Sequence, residues 1–269
     1  MRTSPNLLGK VAVVTGASRG LGKTIALALA RCGASMALVA RNADALHQVE
    51  REITANGNAA HALPTDLQRA TATEVDKLKQ EVEQALGPPP VQILVNAAGM
   101  FGPISLVQDG DPEAWIATQT LNVIAPYLLC RAFLPGMIEA GWGRIVNINS
   151  AAALHPPGPL NSAYAVSKVA LNRLTRALAV EIEGSGVTAN AIHPGDVKTE
   201  MWADIRDQAM QSPLGSGYLE WVKWVEETGG DPPEKAADLV LRLCSDEAAT
   251  INGRFLWIED GLQKPIASW

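Results

Sequence analysis

Tyr164 and Lys168 stand four residues apart in Tyr164-Ala165-Val166-Ser167-Lys168. On a helix that spacing puts a phenol and an ammonium on one face, with a rise of roughly 6 Å between them. A phenol has a reference pKa of about 10, too high to exchange protons readily near neutrality. A cation about 5 Å away, at an effective dielectric of about 20, favours the phenolate by roughly 3 kcal/mol. That is a shift of about two units, and a Tyr164 so tuned is a general acid–base group. Taken alone, the pair reads by default as a solvated helix face, because Y-x-x-x-K arises often by chance.

A second constellation is suited to phosphate. Thr15-Gly16-Ala17-Ser18-Arg19-Gly20-Leu21-Gly22 joins a short apolar strand to a helix. Glycines let the backbone turn tightly and approach a pyrophosphate closely, and the free N–H groups of the helix then face the anion. The spacing is G-x-x-x-G-x-G. Ala17 to Thr24 nearly matches a P-loop, with Ala17 in place of the first glycine. A nucleotide triphosphatase also needs a strand ending in an Asp for Mg²⁺, and the strands ending at Asn96 and Asn149 carry none there. A dinucleotide is therefore the expected ligand. An NAD site places an acid after the second strand to accept from the ribose 2′-OH. Here that place holds Arg41, in Ala40-Arg41-Asn42, and Arg19 of the glycine loop reaches the same region. Two guanidiniums suit a 2′-phosphate, so the expected cofactor is NADP(H). The bland alternative is that Arg41 is a solvated cation leading a helix.

These groups need elements to position them. Apolar, β-branched runs alternate with helical stretches along the whole chain. Strands are expected at 11–15, 36–40, 60–63, 92–96, 144–149, 187–193 and 254–258. Helices are expected at 21–32, 44–56, 73–86, 112–138 (bent near Pro126), 162–183 and 232–245. Such alternation argues for an α/β fold, a doubly wound parallel sheet of Rossmann type with helices on both faces. Ligands then sit outside the carboxyl ends of the strands. The Gly87-Pro88-Pro89-Pro90 stretch is too short to divide domains, so residues 1–269 are read as one domain.

With these motifs in order, the chain resembles the short-chain dehydrogenase/reductase family in its shorter, non-extended branch. The resemblance covers nearly the whole chain. Besides the glycine loop and Y-x-x-x-K, Asp66-Leu67 resembles the family's adenine-side contact. Asn96-Ala97-Ala98-Gly99 resembles its N-N-A-G, with Ala97 replacing the second Asn. Asn122 resembles its helix Asn, and Ile148-Asn149-Ser150 its strand ending in the active-site Ser. His193-Pro194-Gly195, with Val197 and Thr199, resembles its nicotinamide-binding segment. The resemblance implies that Tyr164 gives the proton to a substrate oxygen and that Lys168 lowers its pKa and holds the nicotinamide ribose. It further implies that Ser150 hydrogen-bonds the substrate oxygen and that Asn122 holds a water linking Lys168 to solvent. The implied cofactor contacts are Gly16, Ser18, Arg19, Gly20, Leu21, Gly22 and Arg41, then Asp66, Leu67, Asn96, Ala97 and Gly99, then Tyr164, Lys168, Pro194, Gly195, Val197 and Thr199. The change to Ala97 puts a tie between neighbouring strands in doubt. The interval from Ser150 to Tyr164 is one residue longer than usual, with the extra residue placed in His155-Pro156-Pro157-Gly158-Pro159.

A substrate lid corresponds to about 199–230. It carries Met201, Trp202, Met210, Tyr218, Trp221 and Trp224, with Trp221 and Trp224 spaced for one helix face. They read either as an apolar wall for a bulky substrate or as packing on the core or a neighbouring subunit. His155 and Asp196 are candidate polar contacts at the mouth, or simply loop hydrogen-bonding groups.

The 269 residues carry a net charge of −6 without Lys/Arg runs, which gives no footprint for nucleic acid or an anionic membrane. The scattered Cys32, Cys130 and Cys244 read as reduced thiols, and four unclustered histidines give no metal site. No apolar run approaches roughly 18 residues. The expected protein is a cytoplasmic NADPH-dependent reductase of a small-molecule carbonyl. The alternatives are NAD-dependent alcohol oxidation and a non-catalytic dinucleotide sensor. Excess apolar residues on the helix at 162–183, and the segment 254–269 with Trp257 and Trp269, suggest a homodimer or homotetramer.

Overall fold

The computed structural model describes residues 5–156 and 158–262. Pro157 of the mouth loop and Trp269 of the assembly segment lie outside the described residues. Seven parallel strands form one sheet: β1 (Val11–Thr15), β2 (Ser35–Ala40), β3 (Ala60–Pro64), β4 (Val91–Asn96), β5 (Gly143–Ile148), β6 (Val187–His193) and β7 (Phe255–Trp257). Their spatial order is β3-β2-β1-β4-β5-β6-β7, so the winding reverses between β1 and β4. The protein is a single α/β domain of Rossmann type.

The strands are apolar on both faces because both faces are covered. Ala12 and Val14 of β1 join Met36, Leu38, Ile93 and Val95 in one core, under α1 (Gly20–Arg31), α2 (Ala43–Ala55) and α9 (Pro233–Leu243). The alternate residues Val11 and Val13 join Ala37, Val39 and Leu94 in the other, under α3 (Ala72–Leu86), α5 (Ala125–Glu139) and α6 (Ser162–Glu181). That is the two-residue period of a strand read onto opposite layers. A third cluster lies over the carboxyl ends. It packs Trp202 and Ile205 of α7 (Glu200–Gln211) and Val222 and Val225 of α8 (Ser216–Thr228) with Phe101 and Leu160. Its two helices span the stretch expected to form a substrate lid.

Helix starts follow local chemistry. Thr71 and Glu74 make a reciprocal capping box on α3, Asn42 caps α2 through Ala45 N, and Asp111 caps α4 (Pro112–Gln119) ahead of Pro112. The long helix expected at 112–138 runs from Pro112 to Glu139, but its irregularity is not a proline bend at 126. It is a wide π turn over Thr120–Ile124, with Asn122 at its centre. Pro126 has no N–H to return to the Asn122 carbonyl, which favours the local change of hydrogen-bond register. By length and composition this helical run is long and apolar enough to cross a bilayer, although the sequence was read as having no such stretch. More than half of its most apolar window is buried within the domain, as in a core helix.

Candidate active site

The carboxyl ends of the strands open into a cleft of about 1520 Å³ that spans the β1/β4 reversal. Its floor at one end is the glycine loop. Gly16 has φ +68, and a Cβ there would lie 3.0 Å from the Ala98 backbone. A Cβ on Gly22 would collide with the carbonyl of Gly16. Thr15 Oγ accepts from the N–H groups of both Ala97 and Ala98 at 3.0 Å, which ties the glycine turn to the end of β4. The start of α1 has no side-chain cap and no acid in its first turn. Its unsatisfied N–H groups and positive dipole end face the cleft, where Ser18, Gly20, Leu21 and Gly22 line the wall. This cradle fits a pyrophosphate.

Arg41 and Arg19 both line the same end of the cleft. Arg41 donates to Gln68 Oε1 at 2.8 Å, so its guanidinium is held over the cleft while staying exposed. Arg19 faces Glu200 at the start of α7, Nε to Oε2 3.9 Å. Gln68 and Glu200 were not singled out in the sequence. Nothing local marks them, since one lies 27 residues and the other 181 residues from the arginine it meets. Leu67 lines the cleft, whereas the Asp66 carboxylate caps the following turn by accepting from Gln68 N at 3.1 Å. Asp66 thus shapes this end of the cleft without lining it.

At the other end, Ser150, Tyr164 and Lys168 converge in the cleft. Ser150 lies two residues beyond the end of β5 and hydrogen-bonds the Tyr164 phenol, and its Oγ also accepts from Ala152 N at 3.2 Å. Lys168 is buried and donates to the Ile148 carbonyl at 2.9 Å. Burial lowers its pKa to about 8. Burial raises that of Tyr164 to about 12; the Ser150 bond opposes this shift and the Asp196 charge adds to it. The expected lowering of Tyr164 by Lys168 is thus outweighed here. Lys168 Nζ lies 5.4 Å from the phenol ring centre and bonds a carbonyl rather than the hydroxyl.

Asn122 does not line the cleft. Its Oδ1 accepts from Met100 N at 3.0 Å, and its Nδ2 donates to Met100 O and Ser167 Oγ at 2.9 Å each. Ser167 in turn donates to the Tyr164 carbonyl at 2.7 Å. The amide therefore clamps the segment after β4 to the helix that carries Tyr164 and Lys168, with both of its N–H groups committed. A water bound by this residue would sit on its main-chain carbonyl, which Pro126 leaves without its helical partner. Asn96 is likewise buried behind the wall formed by Ala97 and Gly99. It donates to Asn147 Oδ1 at 2.8 Å, and Asn147 donates to Thr175 at 2.8 Å. The strand tie questioned at Ala97 is made one residue earlier.

The substrate half is lined by Phe101, Tyr218, Trp221 and Leu160. Phe101 stacks on Tyr164 with centroids 4.6 Å apart. Leu160 is held at φ +66, in a region costly for an L-residue with a Cβ. Trp221 and Trp224 do not form one wall. Trp221 faces the cleft, and Trp224, like Met210, is exposed. The helix face carrying Val222 and Val225 is the one turned inward. Both ends of the lid are fastened together: Asp231 N donates to Asp196 O at 2.9 Å and Asp196 N donates to Asp231 Oδ2 at 3.1 Å. Among the described residues no group of three or more His, Cys, Asp or Glu is placed to hold a metal.

The family model for short chain dehydrogenases matches residues 10–210. A short chain dehydrogenase of Pseudocercospora fijiensis is 37% identical over 259 residues, 94% of this chain and 81% of that one. The 3-oxoacyl-[acyl-carrier-protein] reductase of Pseudomonas aeruginosa is 35% identical over 258 residues, 96% and 98% of the two chains. L-Sorbose reductase from Gluconobacter frateurii, solved with NADPH and L-sorbose, superposes with a TM-score of 0.81 at 30% identity over 98% of this chain and 100% of that one. Cradle, fold and relatives agree: the chain belongs to the short-chain dehydrogenase/reductase family of nicotinamide-dependent oxidoreductases.

Proposed function

We propose that the protein reduces the carbonyl of a small molecule with NADPH, using Tyr164 as proton donor. The observation that carries this reading is the placement of Tyr164: its phenol lines the cleft, is hydrogen-bonded to Ser150 and stacks on Phe101, one turn from the buried Lys168. A neutral phenol is the form that gives a proton to an oxygen gaining charge. Ser150 donates to the same oxygen and stabilises that charge. Lys168, buried one turn along, holds the ribose. Arg19 and Arg41 grip the 2′-phosphate, the uncapped start of α1 takes the pyrophosphate, and Pro194, Gly195, Val197 and Thr199 bed the nicotinamide. When bound, NADPH supplies the hydride. Asn122 is a positioning residue, holding the Met100 segment against α6.

Alcohol oxidation with NAD is the weaker reading, because it needs the phenolate as base and an acid in place of Arg41. Replacing Tyr164 by Phe is the test. NADPH binding, followed by its fluorescence, should persist while turnover over a panel of ketones falls to background. Wild-type rates in Tyr164→Phe would remove the mechanism. We further read the exposed apolar residues of the Pro112–Glu139 helix and α6 as the contact of a homo-oligomer.

A further inference from the structure

The reductase reading leaves open what the substrate presents besides its carbonyl. The cations that line the cleft are Arg19 and Arg41 at the glycine-loop end and Lys168 beneath the ribose position. The substrate half carries carboxylates instead, Asp196 beside the nicotinamide segment and Asp204 on α7. His155 lines the mouth, and the ring of His193, stacked edge-on against Trp257 at 4.5 Å, is neutral.

Asp196 is half-buried and held in place. Its backbone is clamped on both sides by Asp231, and its carboxylate accepts from the Trp221 indole across the lid. The neighbouring geometry admits no other course for this segment. Gly195 has φ +79, and a Cβ there would come within 2.6 Å of Asp231 Oδ2. Gly230 has φ +67, and a Cβ there would strike the Asp196 carbonyl. A carboxylate has about four acceptor positions. Trp221 is the one donor given to it among the described residues; Asp196 lines the same cleft as Tyr164 and Ser150, near enough for its charge to act on the Tyr164 phenol. When a substrate displaces water from the cleft, a carboxylate that then meets a donor keeps its hydrogen bond and one that meets none loses it, which turns the acceptor into a source of selectivity.

Resting on the reductase reading, we infer that Asp196 determines specificity by accepting from a hydroxyl next to the reacting carbonyl, so that the enzyme prefers uncharged hydroxy ketones and rejects oxo acids. The aromatic lining of Phe101, Tyr218 and Trp221 supplies the flat apolar contact for the rest of the molecule. An oxo acid would bring a second carboxylate against Asp196, a like-charge clash that works as rejection.

Three probes built on one phenyl ketone frame test this: 2-hydroxyacetophenone (PhCOCH2OH), acetophenone and phenylglyoxylate. Each is measured for kcat and KM with NADPH, and for Kd with the NADP⁺ complex by calorimetry, in the wild type, Asp196→Asn and Asp196→Ala. The wild type should bind the hydroxy ketone about tenfold or more tightly than acetophenone, the usual scale of a hydrogen bond to a charged group. Asp196→Ala should bring that ratio to within about twofold. Asp196→Asn keeps an acceptor for Trp221 and should improve phenylglyoxylate binding by about tenfold through loss of the repulsion. A wild-type ratio near one, a ratio that survives in Asp196→Ala, or unchanged phenylglyoxylate binding in Asp196→Asn would overturn the inference. NADPH titration of each variant reports whether the fold is intact, and Asp196→Asn carries the test if Asp196→Ala is unstable. Selective binding to the NADP⁺ complex without turnover of any ketone would sink the reductase reading and leave Asp196 standing. Turnover without selectivity would do the reverse.

Discussion

Tyr164, Lys168 and His193 line the cleft, and burial is the largest influence on the protonation of each. His193 shows this most simply. Its ring is enclosed at the end of β6, its Nδ1 accepts from Ala151 N at 3.3 Å, and burial lowers its pKa to about 4. The unfolded chain takes up a proton below the ordinary histidine value of 6.5, while the folded protein resists until about 4. Between those values the unfolded state binds more protons, so stability falls as pH drops from 6.5 towards 4. The gap corresponds to about 3 kcal/mol. Urea unfolding at pH 7 and pH 4.5 should therefore show a larger loss in the wild type than in His193→Gln, and parallel losses would refute the assignment. Arg41 belongs to the same scale. If it grips a 2′-phosphate, Arg41→Asp should raise the NADPH dissociation constant tenfold or more, since a charge-assisted hydrogen bond is worth roughly 1.5–3 kcal/mol. NADH use should improve in the same variant. Equal affinity of the wild type for NADH and NADPH would refute the cofactor choice.

Among the elements, the glycine turn and α1 act as one unit. Gly22 has ordinary helical φ, so its requirement is spatial. A Cβ would meet the Gly16 carbonyl, and the Gly16 carbon at 2.7 Å. The helix then cannot sit close enough to the turn for its N–H groups to reach a phosphate. Gly22→Ala should lower Tm by several degrees, as expected for a steric loss of about 1–3 kcal/mol. It should also weaken NADPH binding by more than that loss of stability alone accounts for. A variant with unchanged NADPH affinity would show that the turn tolerates a side chain and that the cradle is not this loop. The π turn at Thr120–Ile124 acts similarly on the other side of the cleft. It aims Asn122 at Met100 and Ser167, and so links the loop after β4 to the Tyr164 helix.

For the whole molecule, the two helical runs that pack side by side beside the cleft leave apolar groups outside. Ile116, Ile124 and Tyr127 are exposed on one run, and Val166 and Val180, the latter 74% exposed, on α6. Exposed apolar side chains gathered on neighbouring helices are a liability on a monomer, and a two-fold contact of each helix with its own copy would cover them. Light scattering at micromolar concentration should return a multiple of 28.5 kDa, and Val180→Glu should lower that mass. A mass of one chain in the wild type would rule the contact out.

The sequence by itself determined the alternation of strands and helices, and with it the parallel sheet, because burial on both faces demands apolar strands separated by crossover helices. It also determined the glycine cradle and the pairing of Tyr164 with Lys168, because turn geometry and helix spacing are local, while Ser150 came only from the family resemblance. Only the tertiary structure decided what depends on enclosure and on distant partners. It buried Tyr164 enough to reverse the expected lowering of its pKa, committed the Asn122 amide to Met100 and Ser167, turned Trp221 inward and Trp224 outward, and set Asp196 against Trp221 and Asp231. Desolvation and contacts between residues tens of positions apart leave no periodic mark in the chain, which is why none of these could be read from it.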